Sequence, residues 1–477
     1  MQIRQFILGG LLIIPGIWVL LAPATNHPEI PPGTVIVEYW EKWTGVEGEQ
    51  MREIVNAYNQ TRGREKGIFV NYISMSSIDR KTLVSTAGGA PPDIAGLWGN
   101  QIPQYSKLNA FYPLDDLAKE YGINETTYKP VYWDMCRYEG KLWGLVSSPA
   151  AVVLHWNRKI FWENAQKLRA AGLDPGRGPQ TIDELNRYAQ ALDVRDPKNP
   201  SVLLRTGYFP TEPGWFILHT GLWFGTELYD PGQDRYLIDC PQSIQAFKWL
   251  QSYPKRLGVS TTSNFKSGLG NYTSAENPFL SGRVAMIQQG PWIAIYLEHY
   301  RPELNRLLLP KNLEVFLPQA MRNFNYTWAA DAFPSAVPGL KDVTICPFDV
   351  LCIPRGAKHK KEAFDFMAYL NERENMERLA RLHCTPSPLM DVSEGFFRYH
   401  PNPYIDVFER TSGGPNAHHE PQSPTSPEVG GDLNAMLDKI NEGKIEVEPA
   451  LKLVQERAQQ TLEIDRQKRE IRKRAME

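Results

Sequence analysis

Short apolar runs alternate with amphipathic segments along most of the chain, and no other feature of the sequence restricts the fold as much. Val35–Trp40, Ile68–Ile73 and Pro91–Trp98 have the length and composition of β-strands. Between the first two runs, apolar residues recur at helical spacing from Glu49 to Tyr58. Strands that alternate with helices are typical of an α/β fold, so the sequence predicts a mainly parallel sheet flanked by helices.

The same alternation returns after about residue 147, which predicts a second lobe similar to the first. Ala151–Trp156, Val284–Ile287 and Val350–Ile353 are predicted strands. Thr181, with Glu184 three residues later, forms a capping signature that predicts the start of a helix.

The C-terminal part of the chain is predicted to be helical around one long loop. Lys360–Leu382, Asp432–Ile440 and Pro449–Ile464 are predicted helices. Gly, Pro and Ser dominate residues 411–431, which predicts an exposed loop. The last twelve residues, 466–477, carry six basic and two acidic side chains, a pattern typical of a solvated helix end.

Composition excludes several classes of protein. The 477 residues include 52 Lys and Arg against 54 Asp and Glu, a formal net charge of −2 at pH 7. A chain with so little net charge has no overall field to attract nucleic acid, so we expect no nucleic-acid partner. With 42% hydrophobic residues, the chain can bury a core and has the composition of neither a disordered nor a multi-span membrane protein.

Met1–Ala24 has the layout of an export signal. Arg4 is its only charged side chain, Phe6–Leu21 is apolar apart from Gly and Pro, and Ala22-Pro23-Ala24 offers small residues for cleavage. The alternative is an uncleaved anchor, because Phe6–Ala24 approaches the roughly 20 residues that span a bilayer. No cysteine follows the run, so lipid attachment is not supported. In either case we expect the rest of the chain to work outside the cytoplasm, in the periplasm or an equivalent compartment.

No catalytic or metal-binding motif stands out. The signatures of serine hydrolases, zinc proteases and phosphate-binding loops are absent from the sequence, so no catalytic residue, metal or cofactor is predicted. His400, His418 and His419 could form a metal site, but adjacent histidines in a Pro- and Ser-rich loop are more often solvated. The chain has five scattered cysteines: Cys136, Cys240, Cys346, Cys352 and Cys384. They include no C-x-x-C pair, and we interpret them as small buried side chains.

Tryptophans collect at the predicted strand-to-helix loops. Trp43, Trp98, Trp215 and Trp292 each lie there, beside small or polar residues. In an open α/β sheet, ligands bind beyond the carboxyl ends of the strands, at these loops. A flat apolar ring stacks on the C–H face of a sugar, while neighbouring carboxylate, amide and ammonium groups hydrogen-bond its hydroxyls. The pattern therefore predicts a carbohydrate site.

Other tryptophans are interpreted as core residues, because most tryptophans pack in the interior of a protein. These core assignments are Trp133, Trp156, Trp162 and Trp249. The sequence leaves Trp143, Trp223 and Trp328 undecided between core and site.

Several short motifs follow one another from the first strand to the last helices. They include Ala87–Ile94, Phe111–Leu117, Gly140–Leu145, Leu154–Phe161, Ala171-Gly172-Leu173, Thr181–Leu185, and Asn441–Lys444 before Pro449-Ala450-Leu451. The most specific is Phe279–Met286, which Gly290-Pro291-Trp292 follows. In their order and spacing, these motifs resemble the extracellular solute-binding proteins of ABC importers, of the carbohydrate type that includes maltose-binding protein.

The resemblance implies two α/β lobes joined by a hinge of crossing segments, with the ligand in the cleft between them. By analogy the first lobe spans 30–147 plus 354–390, the second spans 148–346 plus 391–465, and 466–477 is a charged tail. The positions that match ligand-binding residues of the family are Glu41, Lys42, Trp98, Glu212, Trp215 and Trp292, and the tryptophan pattern adds Trp43. Two departures leave open a ligand that differs in shape from a linear glucan. Trp156 replaces a family tyrosine, and residues 423–428 lack the C-terminal aromatic of some members.

These observations predict a monomeric receptor that captures a sugar or oligosaccharide by hinge closure and delivers it to the permease subunits of an ABC importer. Binding would shift an open–closed equilibrium, because contacts made by both lobes exist only in the closed form. Three alternatives remain at this stage: the same fold binding a polyamine, peptide or metal complex, an enzyme acting on glycans, and a sensor that binds its ligand without transport.

Overall fold

The computed structural model describes residues 30–305 and 326–476, and its strands form two five-stranded sheets flanked by helices. The predictions for Met1–Ala24, whether cleaved signal or anchor, lie outside the described residues. No helix within the two described ranges is both long enough and apolar enough to cross a membrane.

The first sheet has the strand order Ile68–Ser74, Val35–Glu41, Ile94–Trp98, Phe348–Cys352 and Gly144–Pro149. The first three strands pair in parallel, and Phe348–Cys352 pairs antiparallel with both of its neighbours. Four of the five strands therefore run in one direction. Phe348–Cys352 opposes them because it enters this sheet on the return from the second one.

The second sheet has the order Trp328–Asp331, Val153–Asn157, Val284–Gln289, Leu203–Tyr208 and Val194–Arg195. Only Val284–Gln289 and Leu203–Tyr208 pair in parallel. Val153–Asn157 opposes both neighbours because it enters directly from the first sheet. The α/β fold is confirmed, and the first sheet is mainly parallel in strand direction, as expected, whereas the second sheet is mixed.

Helices cover both sheets. Those before residue 300 are Gly45–Gln60, Arg62–Lys66, Ile78–Ala87, Ile102–Lys107, Asp115–Glu120, Pro130–Cys136, Arg158–Glu163, Ala165–Ala170, Ile182–Leu192, Pro241–Leu257, Val259–Ser267 and Ile293–Tyr300. Those that follow are Lys360–Leu370, Arg373–Leu382, Glu394–Arg398, Ile405–Ser412, Ser426–Asn441 and Val447–Met476. The predicted cap is present, since Thr181 Oγ1 accepts a hydrogen bond of 3.1 Å from the Glu184 backbone N–H.

Two C-terminal predictions need correction. The single helix expected over Lys360–Leu382 is interrupted after Leu370. There the Asn371 side chain donates to the Met367 carbonyl at 2.9 Å, a local bond that competes with the helical ladder. The loop expected over residues 411–431 contains the strand Ala417–His418, which pairs with Thr344–Ile345, and the start of a helix at Ser426.

Buried side chains agree with the sequence interpretation of the cysteines and of the core tryptophans. All five cysteines are unbridged, and four of them are buried. The four tryptophans assigned to the core are buried, and so are the three undecided ones, Trp143, Trp223 and Trp328.

Two chain segments cross side by side between the sheets. One joins Gly144–Pro149 to Val153–Asn157, and the other joins Thr344–Ile345 to Phe348–Cys352. Their backbones are hydrogen-bonded to each other, from Ala150 N to Pro347 O at 2.9 Å and from Val152 N to Ile345 O at 3.0 Å. The pair of crossing segments therefore forms a narrow connection about which two lobes can pivot.

The C-terminal helix Val447–Met476 also connects the lobes. It packs against Ser426–Asn441 and Pro241–Leu257. Near its end, Asp465 pairs with Lys107 beside the first sheet, and Arg466 Nε lies 2.9 Å from Asp234 Oδ2. Residues from 466 onward thus continue the helix, in agreement with the pattern of a helix end; Arg466 and Arg469 make ion pairs, whereas Glu470 and Arg474 are 71% and 80% exposed.

Candidate ligand-binding site

A cavity of about 310 Å³ lies between the two sheets, next to the crossing segments. Trp43 and Trp98 line it from the first sheet, and Trp215 and Trp292 line it from the opposite side. This volume is at the small end of the range for ligand sites, which runs from about 300 to 1,000 Å³. The four tryptophans that the sequence singled out therefore share one cavity.

Glu41, Lys42 and Glu212, the three charged residues of the predicted site, do not line this cavity. Glu41 is completely buried and Glu212 is 5% exposed. Both carboxylates bind side chains of the protein behind the cavity wall, as does the Lys42 ammonium. Their geometry fits a supporting role for the tryptophans in front of them.

We call the side of the cavity that carries Trp43 and Trp98 the first wall. An ion cluster there holds Trp43 in place. Lys42 Nζ lies 3.0 Å from Asp349 Oδ1 and 3.4 Å from Glu41 Oε1. The other carboxylate oxygen of Asp349 accepts a 2.8 Å hydrogen bond from Trp43 Nε1. The Lys42 ammonium also lies 5.3 Å from the ring centre of Trp98. Burial disfavours a charged lysine, but Asp349 and Glu41 outweigh it and raise the pKa of Lys42, so this cation stays charged.

Glu41 fits under the first wall because residue 96 is a glycine. The Tyr39 hydroxyl donates to the Glu41 carboxylate at 2.5 Å, and the Lys42 backbone N–H donates at 2.7 Å. A Cβ atom on Gly96, in the adjacent strand, would collide with this carboxylate. A glycine inside a strand usually weakens it, and here it makes room for a buried charge.

The second wall, on the opposite side of the cavity, is built mainly from aromatic rings that contact one another at tilted angles. The ring centre of Trp215 lies 6.1 Å from that of Trp292 and 5.5 Å from that of Tyr272. Trp292 Nε1 donates to Gln289 Oε1 at 2.6 Å. Gly290 is required here because a Cβ atom at that position would overlap the Trp292 ring. In the motif Gly290-Pro291-Trp292, the glycine thus leaves the space in which the Trp292 ring lies.

Glu212 supports the second wall from behind. The Tyr272 hydroxyl donates to the Glu212 carboxylate, and Lys266 Nζ lies 3.4 Å from its other oxygen. Burial and this carboxylate raise the pKa of Tyr272, so the phenol keeps its proton. Because Tyr272 packs on Trp215, Glu212 acts on the cavity through two rings rather than by contact.

Several polar cavity residues were missed by the sequence analysis. They are Glu47, Asn100, Asp349, His383 and Glu420. Asp349 lies inside the strand Phe348–Cys352, and Glu420 lies in the segment that was predicted to be an exposed loop. Two of the missed residues had a signal, because Glu47 comes four residues after Trp43 and Asn100 comes two residues after Trp98.

Burial controls the charges of these missed residues. It raises the pKa of Glu47 to about 7, with a further contribution from the nearby Asp349 carboxylate. It also raises the pKa of Glu420 to about 7, although Asn100 Nδ2 donates to Glu420 at 3.0 Å and opposes the shift. It lowers the pKa of His383 to about 4, so this imidazole is neutral at pH 7. The Asn100–Glu420 hydrogen bond joins the two sides of the cavity.

The three histidines considered for a metal have other partners. His418 Nδ1 lies 2.9 Å from Glu227, His419 Nδ1 lies 2.7 Å from the Glu420 carbonyl, and His400 contacts the Thr385 carbonyl. Within the described ranges, no group of three or more His, Cys, Asp or Glu side chains is arranged to hold a metal ion.

Two α/β lobes, a paired crossing connection and an aromatic cavity between the lobes together define the class of two-lobe solute-binding proteins. The family model described as bacterial extracellular solute-binding protein matches residues 53–394. The chain belongs to this family, and the resemblance inferred from the sequence motifs is confirmed.

Individual relatives are distant. The chain is 18% identical to the maltotriose-binding protein of Pyrococcus abyssi over 269 residues, which are 56% of this chain and 51% of that protein, so it matches about half the length of this relative. It is 22% identical over 385 residues to an uncharacterized ABC transporter extracellular-binding protein of Pyrococcus horikoshii, covering 77% of this chain and 78% of the relative. Among solved structures, CpMnBP1 with mannotriose bound has a TM-score of 0.72 at 23% identity, covering 89% of this chain and 100% of that one. This last likeness concerns the fold.

Proposed function

We propose that this protein captures a saccharide in the cavity between its lobes and delivers it to an ABC importer. One observation carries the proposal: Trp43, Trp98, Trp215 and Trp292, from distant parts of the chain, line a single cavity together with amide and carboxyl groups. Indole faces stack on the C–H surfaces of sugar rings, and the polar groups bind hydroxyls. The names of the relatives, a maltotriose-binding protein and a protein solved with mannotriose, support the same ligand class.

Binding would work by closure of the two lobes, with no covalent step. The strands Gly144–Pro149 and Phe348–Cys352 both belong to the first sheet, so we place the lobes at 30–149 plus 348–390 and 153–345 plus 391–465, joined at the crossing segments. A saccharide that touches Trp98 and Trp215 at once favours the closed form, because these contacts cannot both form when the lobes are apart. In this scheme Glu41, Lys42 and Glu212 position the rings that contact the ligand.

Membership in an extracellular solute-binding family implies a location outside the cytoplasm. We propose that the protein works there as a monomer and that the closed form docks on a membrane permease. Cleavage after Ala24 or anchoring by residues 6–24 remain the two options for the N-terminus. The mass of the exported protein distinguishes them.

A ligand screen with matched variants tests the function. Neutral mono- and oligosaccharides, peptides and spermidine are screened by thermal shift, and hits are measured by calorimetry. Trp215→Ala removes a ring that is 50% exposed, and Tyr399→Ala removes a 71% exposed ring outside the cavity. We expect Trp215→Ala to weaken saccharide binding about tenfold, or about 1.4 kcal/mol, and Tyr399→Ala to leave it unchanged. Binding of a peptide alone, or hydrolysis of a bound oligosaccharide, would overturn the proposal.

A further inference from the structure

Acidic side chains outnumber basic ones in the lining of the cavity. Three carboxyl side chains line it: Glu47, Asp349 and Glu420. No lysine or arginine is among the described residues that line it, and its one histidine, His383, is uncharged at neutral pH. The lining therefore offers a ligand three carboxyl groups and no positively charged side chain.

The Lys42 ammonium, behind the first wall, already forms ion pairs with other carboxylates. Lys42 lies behind the wall between two carboxylates, 3.0 Å from Asp349 and 3.4 Å from Glu41. One ammonium cannot balance two carboxylates, and it leaves Glu47 and Glu420 without a cation. Glu420 accepts one hydrogen bond from Asn100, and the described residues offer the Glu47 carboxyl no hydrogen bond or ion pair.

We propose that the saccharide bound here carries a protonated amine, which pairs with Glu47 and Glu420. The inference rests on the proposed function and narrows its ligand class. A partly buried carboxylate is costly without a partner, and an ammonium group supplies both charge and hydrogen-bond donors. Glu47 belongs to the helix Gly45–Gln60 and Glu420 to the segment leading into Ser426–Asn441, so the cavity offers an amine one carboxyl group on each side.

The aromatic walls suit the same ligand. Trp98 and Trp215 are 43% and 50% exposed, so their faces are accessible from the cavity. Indole is the strongest cation–π partner among side chains, and it also stacks on the C–H face of a sugar ring. A saccharide with one ammonium group uses both properties, whereas a neutral sugar uses only the second.

Binding of such a ligand should depend on pH. Without ligand, the pKa values of Glu47 and Glu420 are about 7, so both carboxyls are largely protonated near pH 5. The other titratable groups around them are Asp349, Glu41, Lys42, His383 and Tyr296. Burial raises the pKa of Tyr296, so this phenol stays neutral. Affinity for an alkyl ammonium should therefore rise from about pH 5 to about pH 8, since an alkyl amine keeps its proton throughout this range.

Calorimetry with matched ligands tests the inference on the full chain. The probes are maltose and mannobiose, their 6′-amino-6′-deoxy derivatives, the N-acetylated forms of these derivatives, and spermidine. We expect at least one amine derivative to bind about tenfold tighter than its neutral parent at about pH 8. N-acetylation, which removes the charge, should abolish the advantage.

Two variants locate the effect. Glu47→Gln and Glu420→Gln keep the size of each side chain and remove its charge, and each should lower the affinity for the amine derivative about tenfold more than the affinity for the parent sugar. The matched control is Glu49→Gln, a carboxylate on the same helix whose side chain is 72% exposed. It should change neither affinity.

The outcomes separate the inference from the proposed function. Neutral sugars that bind as tightly as their amine derivatives would overturn the inference and leave the function standing. Spermidine binding without any saccharide binding would support the amine site and overturn the saccharide function. If neither a saccharide of the screen nor spermidine binds, both fail.

Discussion

The two walls of the cavity hold their tryptophans by different means. On the first wall, the Trp43 ring nitrogen donates to a carboxylate that is itself ion-paired with Lys42. On the second wall, Trp292 donates to the neutral amide of Gln289, and Trp215 is held by neighbouring rings. Glu212 supports this wall from behind Tyr272.

Because they hold their tryptophans differently, the two walls are suited to different parts of ligand binding. An ion cluster is rigid and directional, because each charge needs its partner at a fixed distance in a buried site. Neighbouring aromatic rings offer a broad apolar surface that tolerates variation in the ligand. The first wall is therefore suited to fixing charge and orientation, and the second to supplying contact area.

Lys42→Met should destabilise the protein most. The substitution leaves the Glu41 and Asp349 carboxylates buried without their cation, and such broken pairs cost about 3–5 kcal/mol. Urea unfolding measures the loss of free energy. Lys266→Met is the matched change on the second wall, where the lysine is 56% exposed and its partner Glu212 keeps Tyr272 as a donor. Its cost should be about 1 kcal/mol or less. Equal losses in the two variants would contradict the contrast between the walls.

Glu47→Gln should stabilise the ligand-free protein at alkaline pH. The folded protein holds the Glu47 proton up to a pKa of about 7, whereas an unfolded glutamate releases it near its usual value of 4.5. The unfolded state thus binds fewer protons within that window, so stability falls as pH rises through it and stays low above about pH 7. Glutamine removes this loss, which we put at about 2 kcal/mol after allowing for partial exposure.

Urea unfolding at about pH 4 and about pH 8 checks the Glu47 prediction. The variant and the original protein should agree at the lower pH and diverge at the higher one. Glu49→Gln, on the same helix and well exposed, serves as control and should show no divergence. A Glu47 effect that is the same at both pH values would show that burial of its charge is not the cause.

The same substitution on each wall gives a finer comparison. Trp43→Phe deprives a carboxylate of a hydrogen bond, at a cost of about 2 kcal/mol, and Trp292→Phe deprives a neutral amide of one, at about 1 kcal/mol. The loss of ring area is common to both variants, so the difference reports the hydrogen bonds. Thermal or urea unfolding measures it, and a larger loss at Trp292 would reverse our assignment of rigidity to the first wall.

The sequence predicted the parts of the site that depend on local patterns. Trp43, Trp98 and Trp292 could be found because each lies at or just after the end of a predicted strand, and the carboxyl ends of strands meet at one edge of a sheet. Trp215 and the motif Gly290-Pro291-Trp292 were matched by the family resemblance, and the structure shows why residue 290 is a glycine: a Cβ atom there would overlap the Trp292 ring.

The remaining parts depend on contacts between distant segments. Asp349 is 306 residues from Trp43, and Glu420 is 320 residues from Asn100, so neither contact can be predicted from a local sequence pattern. The mixed strand order has the same origin, since it follows from where each crossing segment enters a sheet. Glu41 and Glu212 were identified as site residues by resemblance, but their burial decides that they act from behind the rings.

The smallest predicted effect concerns the contact between the lobes outside the cavity. Lys107→Met removes the pair that joins the first lobe to Asp465 of the C-terminal helix, while Asp465 keeps Arg469 Nε at 3.0 Å. Because this pair forms in the arrangement that also brings both cavity walls together, its loss should favour opening and weaken ligand binding about threefold, or about 0.7 kcal/mol. Calorimetry measures the change.

Lys255→Met, which removes an exposed pair with Glu446 that does not involve the first lobe, is the control and should leave affinity unchanged. Tighter binding by the Lys107 variant would mean that the ion pair holds the lobes apart, and the C-terminal helix would then act as a brake on closure.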